Sequence, residues 1–71
     1  MRKYVVILER GESSYGAYVP DLPGCVAAGE TREGVLQLIT EAIEIHIEDL
    51  RAQGEEIPTP QSFVETVDVA A

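Results

Sequence analysis

Seventy-one residues suffice for one small domain and leave no room for a second. An apolar share of 45% and a charged share of 25% are those of ordinary globular chains, so neither a disordered polypeptide nor a membrane protein is indicated. Five basic residues against thirteen acidic ones give a net charge of −8, which repels phosphate backbones and so disfavours direct nucleic-acid binding, while favouring a basic protein partner.

The charge is unevenly placed. Residues 1–30 hold three basic and four acidic side chains, whereas residues 31–71 hold two basic and nine acidic ones. The longest apolar run, Tyr4 to Leu8, has five residues, far short of the roughly 20 that a spanning helix needs, and the N-terminus lacks the pattern of a signal peptide. Cys25 is the one cysteine. An internal disulfide is therefore excluded, which fits a reducing compartment and predicts a cytoplasmic protein. A domain of about this size buries only about 60% of its unfolded surface, and small domains commonly recruit a disulfide, a metal or a neighbouring subunit. Self-association is the expectation here.

Arg2 to Arg10 reads as a first strand. Tyr4-Val5-Val6-Ile7-Leu8 is β-branched and aromatic, and because both alternating sets are apolar the strand is expected to be interior, covered on both faces. Gly11-Glu12-Ser13-Ser14 supplies a turn. Tyr15, Ala17 and Val19 then alternate with Gly16, Tyr18 and Pro20 as a second, antiparallel strand. Pro20-Asp21-Leu22-Pro23-Gly24 ends it, with Pro23-Gly24 in the order that a type II turn requires. Cys25 to Ala28 follows as a short third strand.

Thr31 is placed to cap a helix running from Arg32 to Gln53, Glu33 suits its first turn, and Gly54 is placed to end it in the left-handed conformation. Gly34 is a poor helix former, costing about 1 kcal/mol relative to alanine. Val35, Ile39, Ala42, His46 and Leu50 form one stripe, flanked by Leu36, Ile43 and Ile47 on one side and by Leu38 and Ile45 on the other. That arc spans about 200°, wider than the roughly 100° a helix needs to lie on one sheet. A second burial surface is implied, with Leu38, Ile45, His46 and Ile47 as the candidate self-association residues. Glu41, Glu44 and Glu48 occupy the opposite side, with Arg51 nearby.

Glu55 to Pro60 reads as an extended connector, since each proline pushes its predecessor out of the helical region. Phe63, Val64, Val67 and Val69, interspersed with Glu65, Thr66 and Asp68, read as a final edge strand. The predicted fold is therefore α+β, β-β-β-α-β, with a right-handed crossover giving a four-stranded mixed sheet of order 3-2-1-4 and one helix on one face. The other sheet face would stay bare in a monomer.

Enzymatic chemistry is poorly supported. The lone His46 sits on the apolar stripe away from any obvious nucleophile, Cys25 lies among small apolar residues as an inert thiol would, and one cysteine with one histidine cannot make a structural zinc site. A magnesium-dependent nuclease could draw on Glu9 and Asp21 at strand ends, but the Tyr4 to Leu8 run carries no acid. Gly24, Gly29 and Gly34, spaced by five, match neither a P-loop nor a dinucleotide fingerprint. No cofactor is predicted.

Four stretches together carry a resemblance: Tyr15 to Cys25 with its Val19-Pro20-Asp21-Leu22-Pro23-Gly24-Cys25 run, Gly29-Glu30-Thr31, Glu41 to Ile47, and Gly54 to Pro58. They resemble the HicB-type antitoxins of prokaryotic toxin–antitoxin pairs, over about Lys3 to Val69. The resemblance implies a truncated ribonuclease-H-like fold that oligomerises, as a homodimer or homotetramer, and binds a HicA-type toxin, a small basic mRNA-cleaving protein whose active surface it masks. Longer members add a C-terminal DNA-binding segment. The sequence stops at Ala71, so residues 1–71 are expected to form a single HicB-like domain without that segment and without direct operator binding.

The reading is thus a non-enzymatic antitoxin-like binding module. Asp21, Glu41, Glu44, Glu48, Glu55 and Glu56 are the candidate partner-binding residues. A divergent metal-dependent nuclease and an orphan oligomeric structural protein are the alternatives.

Overall fold

Gly11 to Ser14 turns the chain back on itself, with the Gly11 N–H donating to the Ser14 carbonyl at 2.8 Å. The turn joins β1 (Ile7–Arg10) to β2 (Tyr15–Tyr18). A third strand, β3 (Val26–Gly29), pairs antiparallel with β2, so the sheet order is β1-β2-β3. The computed structural model describes residues 2–71.

Register decides what each sheet face carries. Leu8, Ala17 and Ala27 stand in one row across the three strands, and Ala17 is buried against the helix side with Leu8 and Ala27 packed beside it. The next row, Ile7, Tyr18 and Val26, therefore points to the opposite face. Tyr18 and Val26 are exposed there.

Helix α1 (Arg32–Ala52) begins where Thr31, in extended conformation, accepts the Gly34 N–H on its Oγ1 at 2.9 Å. Gly34 has a local reason to be glycine, because a Cβ there would meet that Oγ1 at 2.8 Å. At the other end Gly54 adopts φ 72°, and the N–H groups of Gln53, Gly54 and Glu55 donate to the carbonyls of Asp49, Arg51 and Leu50, satisfying the terminal turn. Val35 and Ile39 are the fully buried contacts of α1 with the sheet.

The loop between β2 and β3 completes the core. Leu22 N–H donates to Val19 C=O at 3.0 Å and Cys25 N–H to Leu22 C=O at 3.1 Å. Gly24 takes φ 84°, the positive value that the third residue of a type II turn requires. These two successive turns drive Leu22 inward until none of it is exposed, alongside Val19 and Cys25. Burying one such leucine is worth about 1.5–3 kcal/mol.

Helix, hairpin, caps and turns follow the predicted order, and the α+β class holds. The four-stranded mixed sheet of order 3-2-1-4 is corrected: the sheet has three antiparallel strands, and residues 55–71 contain no strand. Phe63, Val64, Val67 and Val69 alternate as a strand does, but all four are exposed, Phe63 by 88% and Val67 by 80%. Alternation expresses a capacity for the extended state; ladder hydrogen bonds need an adjacent edge. In consequence β1 is an outer strand instead of an interior one, its regular pairing is confined to Ile7–Arg10, and Tyr4 to Leu8 is half-buried.

Candidate partner-binding surface

The two flanks of the apolar arc of α1 meet different fates. Ile43 and Ile47 are half-buried and share a depression with Arg2, Tyr4, Arg51 and Ile57, whereas Leu36, nearer the start of the same flank, is 48% exposed. The N-terminal segment and the connector are stitched together over that flank: Arg2 Nη1 donates to the carbonyls of Ile57 at 2.9 Å and Pro58 at 3.2 Å, and the Tyr4 hydroxyl donates to Pro58 C=O. On the other flank Leu38 and Ile45 are exposed, Ile45 by 67%.

Ile45 opens onto a groove between the second half of α1 and the start of β3, lined also by Gly24, Cys25, Val26, Ala42, His46 and Asp49. Val26 borders the groove at the start of β3 and is 65% exposed. Sequence reasoning missed Val26. Parity with the inward Ala27 would have placed it outward, in register with Tyr18.

Leu38, Glu41, Ile45 and Glu48 succeed each other at spacings of three, four and three, so they share one helical stripe. All four are exposed, as is Glu44 beside them. Apolar and acidic side chains therefore interleave along the open flank, and Arg51 joins Glu44, Ile47 and Glu48 in a shallow depression at its end. Anchoring apolar contact flanked by one sign of charge is a surface chemistry suited to a basic protein.

The structure gathers Glu41, Glu44, Glu48, Leu38, Ile45 and His46 into this region. Ile47 lies on the covered flank. Glu55 and Glu56 are exposed just beyond the helix end. Asp21 is elsewhere and is already engaged by its own chain: its Oδ2 accepts the N–H groups of Gln61 and Ser62 and its Oδ1 accepts the Ser62 hydroxyl, each at 3.0 Å. The Gln61 amide, then the Ser62 amide, hold the Asp21 carboxyl below the usual carboxylate range against the opposing pull of burial.

Although the sequence placed His46 apart from any nucleophile, one groove is lined by His46 and Asp49 from α1 and by Cys25 from the loop before β3. Cys25 is buried, and desolvation pushes its thiol up, the direction that disfavours a nucleophilic thiolate. The Asp49 Oδ2 accepts Gln53 Nε2 at 3.0 Å. Among the described residues no three His, Cys, Asp or Glu side chains converge as metal ligands, and no helix is long and apolar enough to cross a membrane.

The sequence profile of the HicB_like antitoxin of bacterial toxin-antitoxin system family matches residues 4–70. The chain belongs to that family. This HicB-like chain is 39% identical over 67 residues to the UPF0150 protein ssr1765 of Synechocystis, covering 93% of the chain and 85% of the relative. It is 34% identical over 71 residues to antitoxin HicB 2 of Photorhabdus laumondii, covering 89% of the chain and 48% of that protein. It therefore spans about half the length of the Photorhabdus antitoxin. The crystal structure of the N-terminal domain of the Burkholderia pseudomallei antitoxin HicB superposes with a TM-score of 0.74 at 34% identity, over 82% of this chain and 69% of that one.

Proposed function

We propose that this HicB-like protein acts as an antitoxin by binding, through the open flank of α1, a small basic HicA-type toxin and covering its RNA-cleaving surface. The observation that carries the reading is the exposed stripe of Leu38, Glu41, Ile45 and Glu48 with Glu44 beside it. Ile45 and Leu38 supply the desolvated anchor and the three glutamates the attraction. Glu55 and Glu56 extend the acidic field past the helix end, and the net charge of −8 draws a cationic partner from a distance. Asp21 contributes by fixing the loop and connector next to it. Self-association, as a dimer or a higher assembly, belongs to the same reading, because small domains gain stability from a mate. We place the protein in the cytoplasm, where a mRNA-cleaving toxin acts, and the binding role requires no cofactor and no catalysis.

The test is association with the product of a short basic reading frame beside this gene, followed at low and high ionic strength. Screening should slow association markedly. Charge reversal at Glu44→Lys with Glu48→Lys should slow it further at low salt, while Ile45→Asp should speed dissociation. Rates indifferent both to salt and to the glutamates would remove the acidic stripe from recognition, and unimpaired toxin neutralisation by all three substitutions would overturn the assignment of this flank.

A further inference from the structure

Two of the five basic residues of the chain meet at the end of the sheet. Arg10, Tyr15 and Gly29 stand in one row across β1, β2 and β3. This row lies two positions along each strand from Leu8, Ala17 and Ala27, and so on the same, helix-bearing side. A Cβ on Gly29 would lie 3.4 Å from the Val35 backbone nitrogen, so the start of α1 rests on the end of the row. That contact brings in Arg32, the first residue of α1, and Leu8, Arg10, Tyr15 and Arg32 line one depression of about 270 Å³. Along α1 the acidic Glu44 is about 18 Å away, at 1.5 Å per residue.

The chemistry of this depression is the reverse of the rest of the surface. No acid lines it, although acids outnumber bases thirteen to five in the chain. Among the described residues neither guanidinium forms an ion pair or a hydrogen bond, whereas the Arg2 guanidinium is held by the carbonyls of Ile57 and Pro58. Leu8 and Tyr15 are half-buried and packed on the core, which fixes them in place, while Arg10 and Arg32 are exposed. The Arg32 and Glu33 amides, in the first turn of α1, have no intrahelical acceptor and add partial positive charge. The Glu33 carboxylate shares that turn but does not line the depression.

We propose that this depression binds the phosphate group of a small ligand. A phosphate presents three acceptor oxygens, enough for two guanidinium forks from different elements and for the Tyr15 hydroxyl, whereas a carboxylate presents two. The volume lies just under the roughly 300 Å³ at which small-molecule sites begin, so it holds a phosphate and little more. Nucleic acid is disfavoured, because a net charge of −8 repels the further phosphates that a polymer brings. The source is free phosphate or a phosphomonoester, to whose organic part Leu8 and the Tyr15 ring offer apolar contact. The site stands apart from the helix flank assigned above and does not depend on a toxin.

The test is a nuclear magnetic resonance titration of the isotope-labelled full-length chain at constant ionic strength, with inorganic phosphate in one arm and phenyl phosphate in the other. Each should shift the amides of Arg10, Tyr15, Arg32 and Glu33 saturably, and sodium chloride should not. Tighter binding of phenyl phosphate assigns the site to a phosphomonoester; equal or tighter binding of inorganic phosphate assigns it to the free ion. Arg10→Gln with Arg32→Gln should weaken both at least about tenfold, and Tyr15→Phe should weaken them about threefold. The far-ultraviolet circular dichroism should not change, since both arginines are exposed and phenylalanine keeps the ring. No saturable shift with either probe, a response equal to that of chloride, or affinities unchanged by the double substitution would each overturn the site. A single-stranded RNA oligomer that binds the same residues more tightly than either probe would overturn the small ligand.

Discussion

Residues 19–25 form a loop with no regular structure, and Val19, Leu22 and Cys25 within it are buried. Residues 63–69 have the alternation of a strand, and their apolar side chains stand in solvent. Hydrophobicity is similar in the two stretches; what differs is whether backbone groups find partners that turn the side chains inward. In the loop, two successive turns and the Val19 N–H to Cys25 C=O bond at 3.2 Å point Leu22 into the core. Among the described residues, the last hydrogen bond between residues 55–71 and the domain falls at Ser62.

Leu22→Ala would break that comparison most severely. It should cost about 2–5 kcal/mol, a large part of the stability of so small a domain, read from the midpoint of denaturant unfolding. Gly24→Ala should cost about 1–2 kcal/mol, because φ 84° is strained for any residue with a Cβ, although nothing crowds the position. Asp21→Ala sharpens the contrast from the other side: amide exchange at Gln61 and Ser62 should accelerate while the sheet and helix keep their protection. Acid should reproduce that change. The native carboxyl titrates below its ordinary value of 3.8, so its contribution is present above that pH and disappears as pH falls through the lowered native value. At dilutions where single chains prevail, Phe63→Ser should shift unfolding by no more than about 0.5 kcal/mol.

Elements governed by neighbours in sequence were legible in advance. The Thr31 cap, the Gly54 terminus, the Pro23-Gly24 turn and the hairpin each depend on contacts spanning a few residues, and each lies where the sequence places it. The last strand did not form because pairing is a tertiary event, and without it β1 lost the interior position its apolar run suggested. Legibility of the candidate surface divides in the same way. Helical periodicity located Glu41, Glu44, Glu48, Leu38 and Ile45 on α1, but no local pattern could show that Arg2 and Tyr4 reach over to the Ile47 flank, bonding residues more than fifty positions away. Asp21 is a candidate partner-binding residue that the structure finds bonded within its own chain. Its clasp on Gln61 and Ser62, forty positions distant, has no signature in the spacing of nearby residues.

Burial of the single thiol has a practical corollary. Cys25 closes the loop that holds Leu22 and lines the groove with Ile45, yet it is buried, so an alkylating reagent can reach it only when that corner opens. Its labelling rate, set against that of a free thiol, therefore reports the opening equilibrium of one defined part of the domain, without any engineered probe. A ligand seated in the groove would slow that rate in proportion to its occupancy.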